Sequence, residues 1–332
     1  MPDAPAQLWT DVPLHSAAFD TLRGRVLLAG PGVPPAAAAN PGFEFADADA
    51  AIVGTRLHYD AAAFAGASRL KVIARTGIGY DNVDVPAASA AGVCAVNTPE
   101  APTESTAEFT VGLMFVVARR IAAADHNSKA GHWKLDPSVM GFDLAEKTLG
   151  LVGFGRIARR VTEMARVMRM RICVHDPFVA APVIVAAGAV PCASLAELLP
   201  QAHVLSLHIP SSAATRRLIG AEQLALLPRG AVLINTARGP LIDETAVLAA
   251  LESGHLAGAG IDVWEQEPFA PDHALMRHPH VVATPHMAAY TNEGRRRSHV
   301  TAAEHVLAVL RGEPPATLLD ATMWDRRRTS RT

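Results

Sequence analysis

Short apolar runs alternate with stretches in which Ala, Leu and Arg recur at helical spacing along almost the whole chain. In the first hundred residues the runs 25–28, 51–53, 71–74 and 94–96 predict strands. Later runs at 149–152, 171–175, 204–207, 231–234, 260–263 and 281–283 predict six more. Most are apolar throughout rather than alternating, which is the pattern of parallel strands covered on both faces. Helices are predicted between them at 156–168, 195–199, 222–227 and 244–253. Strand–helix repetition of this kind predicts an α/β, doubly wound parallel-sheet architecture. One stretch breaks the rhythm. Residues 103–126 are apolar nearly all round and predict a single buried helix of about six turns, opened by Thr103. The Pro/Ala-rich segment 31–41 reads as a loop, and Pro314-Pro315 ends a helix.

Composition narrows the class. Half of the 332 residues are hydrophobic (50%), enough for two domains and too apolar for a disordered chain. A formal net charge of -2 lacks the electrostatic footprint of a nucleic-acid binder. The basic ending, Arg326-Arg327-Arg328 to Arg331, reads as a solvated tail. Cys94, Cys173 and Cys192 are odd in number and far apart, which excludes a disulfide framework and offers no zinc spacing; no metal site is expected. The start carries no secretory pattern, and the longest greasy stretch, 109–118, falls short of the roughly 20 residues a bilayer requires. A protein of the reducing cytoplasm, with no membrane or nucleic-acid partner, is the simplest expectation.

The strongest local motif is the strand–turn–helix around Gly153-Phe-Gly155-Arg156-Ile157-Ala158. Gly153 permits the tight turn, Gly155 lets backbone approach a pyrophosphate, and Ala158 is the small residue needed for helix–sheet packing. The next predicted strand ends at Asp176, where a carboxylate can accept the adenosine ribose hydroxyls and repel a 2′-phosphate, so NAD is favoured over NADP. About 150 residues with α/β patterning of their own precede this motif, which predicts a separate domain and a ligand between the two. Three later strands each end in a reactive side chain: Arg238 after the 231–234 run, Asp262 and Glu267 after the next, and His286 after the last. Ligands of open α/β sheets bind beyond strand carboxyl ends. Arg238 suits a substrate carboxylate, His286 can exchange a proton with a developing alkoxide, and Glu267 can fix the imidazole tautomer. Spacing alone leaves a competing assignment open, with Glu267 and His286 as a structural pair and Arg238 as a surface ion-pair partner.

The chain resembles the NAD-dependent D-2-hydroxyacid dehydrogenases, most of all their phosphoglycerate dehydrogenase branch, over about residues 48–310. The resemblance rests on the run from Arg75 through Gly77, Gly79, Asp81 and Asn82 to Asp84, on Asn97-Thr-Pro99 with Ala107-Glu108, and on Gly131-His-Trp133. It continues through the glycine turn, Leu207-His208-Ile209-Pro210 with Thr215, Asn235-Thr-Ala-Arg238, Asp262, Glu267-Pro268 and Thr284-Pro-His286. It implies a hydride transfer between NAD(H) and C2 of a small D-2-hydroxy or 2-keto acid. Arg238, Glu267 and His286 fall on the family's catalytic triad, with His286 as acid/base. Ile78 and Gly79 fall on the glycine loop that binds the substrate carboxylate. Arg156, Ile157 and Asp176 match cofactor contacts. Thr103, His208, Ile209, Pro210, Thr215, Thr236, Ala237 and Asp262 match positions around the cofactor pocket.

The resemblance also implies a Rossmann cofactor domain over 100–288, a flavodoxin-like substrate domain combining 1–99 with 289–332, and a homodimer built on the helix from Thr103. Two departures bear on the substrate. Gly54 stands where phosphoglycerate dehydrogenases usually carry an arginine for the substrate phosphate, with Arg56 two residues on as a substitute. The segment after the histidine, Met287-Ala288-Ala289-Tyr290, lacks the glycine common there, and its Tyr290 is expected to enter the substrate mouth and select a different side chain. Two other functions stay open at this level: an NAD(H)-sensing corepressor-like binding protein, and a phosphite-type dehydrogenase on the same fold.

Overall fold

The computed structural model describes residues 5–32, 44–134 and 137–329. Most of the expected 31–41 loop and Arg331 of the basic ending lie outside the described residues. The chain divides into two compact units, Met1–Pro102 with Tyr290–Thr332, and Thr103–Ala289.

The first unit is built on β1 (Ala6–Thr10), β2 (Val26–Ala29), β3 (Ala50–Val53), β4 (Val72–Arg75) and β5 (Cys94–Asn97). They form a parallel sheet in the order β2-β1-β3-β4-β5, the flavodoxin-like doubly wound order. β3, β4 and β5 are buried at every position, as their unbroken apolar runs require. One face of the sheet is covered by the helix Asn292–Leu310, whose Ala302, Ala303 and Val306 pack with Leu8, Ile52, Ala74 and Val96. The C-terminal segment therefore completes the core that the first hundred residues begin.

The second unit carries β6 (Thr148–Val152), β7 (Arg171–His175), β8 (Val190–Pro191), β9 (Val204–Leu207), β10 (Ala231–Asn235), β11 (Leu256–Ile261) and β12 (Val281–Ala283). All are parallel, in the order β12-β11-β10-β9-β6-β7-β8. The order reverses at β6, between β9 and β7, which is the switch point of a Rossmann fold. Both halves of the chain are thus doubly wound α/β domains. β11 begins four residues before the predicted 260–263 run, because Gly258 and Gly260 dilute its apolar pattern. A Cβ at Gly258 would fall 2.8 Å from Val117 Cγ1, and one at Gly260 2.5 Å from Leu113 Cγ. The glycines let the helix Thr103–Ala118 lie directly on the strand.

Two expectations are corrected here. The stretch from Thr103 is two helices, Thr103–Ala118 and Ile121–Lys129, not one. Continuing the first helix would require the Ala118 carbonyl for residue 122, but Phe142 N donates to it at 3.0 Å, with Gly141 packed against the helix end. The chain then turns through Arg120 in the left-handed region, φ 53°. The first helix buries Leu113, Met114 and Val117, whereas the second buries no residue within the chain. The basic ending is likewise not a free tail. Met323 is buried, Arg328 N donates to Gly92 O at 2.8 Å, and the Arg328 guanidinium donates to Leu70 O at 3.0 Å. Among the described residues, no helix is long and apolar enough to cross a membrane, and no His/Cys/Asp/Glu group could hold a metal ion.

Candidate active site

β10, β11 and β12 are neighbours in the sheet, and the segments leaving their carboxyl ends bring Arg238, Glu267 and His286 into one neighbourhood. His286 Nδ1 lies 2.7 Å from Glu267 Oε2, and Glu267 Oε1 accepts the Trp264 N–H at 3.0 Å. Burial pushes the Glu267 carboxyl up. The His286 hydrogen bond and charge, the Trp264 N–H and the nearby Arg238 together outweigh it and hold the group below the usual glutamate value. Glu267 is therefore a carboxylate at neutral pH. It accepts the hydrogen bond of an Nδ1–H, which leaves Nε2 as the ring nitrogen able to exchange a proton with a ligand.

The His286 backbone has φ 54°, a conformation that non-glycine residues avoid. Asp262 enforces it. Its fully buried carboxylate accepts the Thr284 hydroxyl at 2.6 Å, Met287 N at 2.8 Å and Ala288 N at 2.9 Å, while its carbonyl accepts His286 N at 2.7 Å. All of these donors lie within two residues of His286 on either side. Arg238 is placed by Asn235, which caps the end of β10: its amide donates to Arg238 O at 2.9 Å and its side-chain oxygen accepts Ala237 N at 3.1 Å. The guanidinium turns back to Ala237 O at 2.6 Å. Asn235 was visible in the sequence as a polar residue closing an apolar strand, yet only the structure gives it this positioning role. Trp264 was not singled out at all.

The glycine turn sits at the switch point after β6. Gly153 has φ +92°, and a Cβ there would fall 2.6 Å from His208 O, so only glycine fits. A Cβ at Gly155 would meet nothing within 4 Å, which leaves open space over the start of the helix Arg156–Val167, a helix with no side-chain cap. Arg156 and Ile157 open that helix. Asp176 follows β7 and accepts Phe154 N at 2.7 Å and Phe178 N at 2.8 Å, so its carboxylate is held against the turn. An open, uncapped helix start beside a fixed acid suits a dinucleotide, with pyrophosphate on the helix N–H groups and ribose hydroxyls at the acid.

The other residues matched to the cofactor pocket surround the same strand ends. His208 follows β9, its Nε2 2.9 Å from the Ser206 hydroxyl, and burial pushes its pKa down to about 4. It is neutral at pH 7 and suited to lining rather than acid catalysis. Ile209 is half-buried and Pro210 exposed. The Thr215 hydroxyl closes the following loop by donating to Pro210 O at 2.9 Å. Thr236 pairs with Thr110 at 2.8 Å between hydroxyls, and Ala237 is half-buried. The Thr103 hydroxyl is buried without a hydrogen-bond partner in the structure.

In the first unit, Ile78 and Gly79 lie on the loop after β4. That loop is held by Thr98 Oγ1 accepting Gly77 N at 2.7 Å and by Asn97 donating to Ile78 O at 2.8 Å. Ile78 is exposed, as is Arg56. Gly54 is buried: its N–H goes to Asp11 Oδ1 at 2.7 Å, and a Cβ would fall 2.4 Å from Val12 Cγ1. Tyr290 is exposed, with the Arg295 guanidinium 5.3 Å from its ring centre. The Asp84 carboxylate caps its own short helix at Ala87 N, 2.9 Å, as a turn-forming role requires.

Comparison with known proteins adds an independent line. Residues 111–288 match the model of the D-isomer specific 2-hydroxyacid dehydrogenase NAD binding domain. A glyoxylate reductase of Korarchaeum cryptofilum is 40% identical over 264 residues, which cover 79% of this chain and 79% of the relative. A D-3-phosphoglycerate dehydrogenase of Methanocaldococcus jannaschii is 40% identical over 269 residues, 80% of this chain but 51% of the relative, so the chain spans about half of that protein. Among solved structures, the TT0316 protein of Thermus thermophilus superimposes with a TM-score of 0.85 at 37% identity, covering 95% of this chain and all of the other.

Proposed function

The chain belongs to the D-isomer specific 2-hydroxyacid dehydrogenases, NAD-dependent oxidoreductases, and from that premise we propose that it acts on a small, unphosphorylated D-2-hydroxy or 2-keto acid with His286 as acid/base. NAD, when bound, supplies or accepts the hydride at the substrate's C2. His286 Nε2 gives a proton to the C2 oxygen in reduction and takes it in oxidation. Glu267 holds the ring through Nδ1. Arg238 pairs with the substrate carboxylate and draws electron density from the adjoining carbonyl. In the first unit, the family resemblance assigns the backbone N–H groups of Ile78 and Gly79 to substrate-carboxylate binding. Gly153, Gly155, Arg156 and Ile157 would hold the pyrophosphate, Asp176 the adenosine ribose, and Thr103, His208, Ile209, Pro210, Thr215, Thr236, Ala237 and Asp262 the walls of the pocket.

The observation that carries this reading is the 2.7 Å His286–Glu267 bond at strand ends adjacent to that of Arg238. The restriction to unphosphorylated acids is supported by Gly54, where Val12 leaves no room for a side chain and the N–H is already given to Asp11. Arg56 is the candidate for any further anion on the substrate. Homodimer formation is proposed through the region of Phe115, Ile121, Trp133 and Met140, large apolar side chains all exposed in the single chain. Light scattering would test it. Three free, buried cysteines suit a reducing cytoplasm.

The deciding experiment is a screen of glyoxylate, hydroxypyruvate, pyruvate, phenylpyruvate and 3-phosphohydroxypyruvate with NADH, on wild type and His286→Ala. Turnover of an unphosphorylated acid by wild type is expected. The variant should lose about a hundredfold or more in kcat while NADH still binds. NADH binding without reduction of any acid would overturn the proposal and point to an NAD(H)-sensing protein.

A further inference from the structure

The segments bearing Arg238, Glu267 and His286 share a contact that is none of the three. Trp264, only 3% exposed, gives its backbone N–H to Glu267 Oε1 at 3.0 Å and its indole Nε1–H to Thr284 O at 3.0 Å, two residues before His286. The third segment meets it by contact. A Cβ on Gly239, the neighbour of Arg238, would fall 1.9 Å from Trp264 C and 2.0 Å from its O, so that backbone packs directly against the Trp264 peptide.

The next peptide is held in the same manner as the first. Glu265 N donates to Glu244 Oε1 at 2.9 Å, and Glu244 Oε2 lies 3.0 Å from His273 Nε2. The His273 ring stands edge-on to the Trp264 indole at 5.3 Å. Two successive backbone N–H groups are thus received by two glutamates, each of which also binds an imidazole. One pair is Glu267–His286. The other, Glu244–His273, is more deeply covered, with side chains 14% and 25% exposed against 35% and 33%. His273 Nδ1 is buried without a hydrogen-bond partner in the structure, so the ring's contact with Glu244 is made through Nε2 alone.

We propose that Trp264 is a positioning residue for the hydride-transfer site, and that the Glu244–His273 pair fixes it in place. Glu244 starts the helix Glu244–Glu252, so its carboxylate is anchored to a rigid element. Through the 265 N–H it sets where the 264 peptide lies. The Trp264 N–H, one peptide earlier, sets the Glu267 carboxylate, and the indole sets the strand end from which His286 departs. The proposal rests on His286 acting as acid/base, and the test separates the two.

Trp264→Phe, Glu244→Ala, Glu244→Gln and His286→Ala are compared with wild type for kcat, keto-acid KM, NADH affinity and thermal midpoint. Phenylalanine keeps an aromatic ring at the position but loses the indole N–H and part of the buried bicycle, and the thermal midpoint reads the packing part of the effect. It should lower kcat about tenfold at unchanged NADH affinity, because a displaced proton donor affects chemistry rather than binding. Glu244→Ala should do the same, and Glu244→Gln, whose amide oxygen can still accept the 265 N–H, should recover most of the loss. Wild-type kcat in both Trp264→Phe and Glu244→Ala, with His286→Ala inactive, would overturn the positioning role and leave the acid/base reading intact. Wild-type kcat in His286→Ala would instead refute that reading. Equal losses in the two Glu244 variants, or NADH affinity falling in step with kcat, would also overturn the proposal. If Trp264→Phe does not fold, the Glu244 pair decides.

Discussion

Replacing Asp262 by asparagine tests how the left-handed turn at His286 is held. The substitution preserves shape and removes a charge. In the native site one carboxylate oxygen serves Thr284 and Met287, and the other serves Ala288. An asparagine can present its carbonyl to only one side, so its NH2 must oppose an N–H. The Ala288 N–H, on a residue 4% exposed, is the group left stranded. Losing that bond at a buried site costs about 1–3 kcal/mol, and two bonds weaken from charged to neutral at about 1 kcal/mol each, giving about 3–5 kcal/mol in all. Left-handed backbone at a non-glycine residue costs about 1–2 kcal/mol. The clamp exceeds that strain comfortably in the native site and no longer does so after substitution. His286 then relaxes toward negative φ, and its ring leaves Glu267.

The expected outcomes for Asp262→Asn are a thermal midpoint lowered on the order of 10 °C, at roughly 2–4 °C per kcal/mol for a domain of this size, and kcat reduced about a hundredfold. NADH affinity, read from the quenching of intrinsic fluorescence, should fall far less than kcat, because Asp262 is only one part of the cofactor-pocket wall whereas the turn it clamps carries the acid/base. A loss of NADH affinity with kcat intact would show instead that Asp262 serves the cofactor. A midpoint and kcat both at wild-type values would refute the clamp.

Asp176→Ser should weaken NADH binding about tenfold or more and relieve the discrimination against NADPH, since the acid that accepts ribose hydroxyls and repels a 2′-phosphate is gone; stronger thermal stabilisation of wild type by NADPH than by NADH would contradict this. Burial, aided by Arg295 and His15, pushes His299 from the ordinary 6.5 down to about 4, and its Nδ1 accepts the His15 N–H at 2.9 Å. The unfolded chain therefore binds the extra proton first, so this contribution is complete above pH 6.5 and is lost as pH falls toward 4. Melting curves of wild type should drop across that window more steeply than those of His299→Gln, and parallel curves would count against it. Gly54→Ala places a methyl 2.4 Å from Val12 Cγ1 and should destabilise the first unit by about 1–3 kcal/mol of overpacking, seen as a lower midpoint. An unchanged midpoint would mean that the segment bearing Val12, just after β1, yields freely.

Most of the predicted strands are runs buried along all or most of their length, where sequence pattern and tertiary environment coincide, while β2 and β12 are only partly covered. β1 escapes that pattern although it lies between β2 and β3. Gln7 and Thr10 interrupt its apolar run; Thr10 Oγ1 bonds across the turn to Val12, whereas the Gln7 side-chain oxygen is buried without a hydrogen-bond partner and nothing in the structure explains the glutamine. β8 has two residues, one of them Pro191, and no pattern can announce so short an edge. The division of the long helix at Arg119–Arg120 was hidden for a different reason. Its cause is Phe142 taking a carbonyl at Ala118, a contact between segments distant in sequence. The docking of Arg328 onto Gly92 and Leu70 is of the same kind.

The candidate site divides along the same line, and the division explains why motifs identify its chemistry without describing its construction. Arg238, Glu267 and His286 are legible because each is a charged or titratable residue just beyond an apolar run, and strand ends of a doubly wound sheet are where such side chains can converge. What makes them effective is backbone geometry set by other residues. Asp262 imposes a conformation on His286 that its own side chain disfavours. Asn235 folds the chain back after β10 so that Arg238 stays near the strand end. Trp264 offers one N–H to Glu267 and another to the segment before His286. The bonds of Asp262 and of the Trp264 indole have no short-range signature, since their partners are 20 to 26 residues away and the spacing follows loop lengths rather than any period, whereas those of Asn235 and of the Trp264 N–H span only two or three residues. Strain at a reactive residue persists only where its surroundings over-determine it. Four hydrogen bonds converging on one buried aspartate meet that condition, and they imply that the His286 turn was set by the requirement for a fixed imidazole rather than by the preference of its own segment.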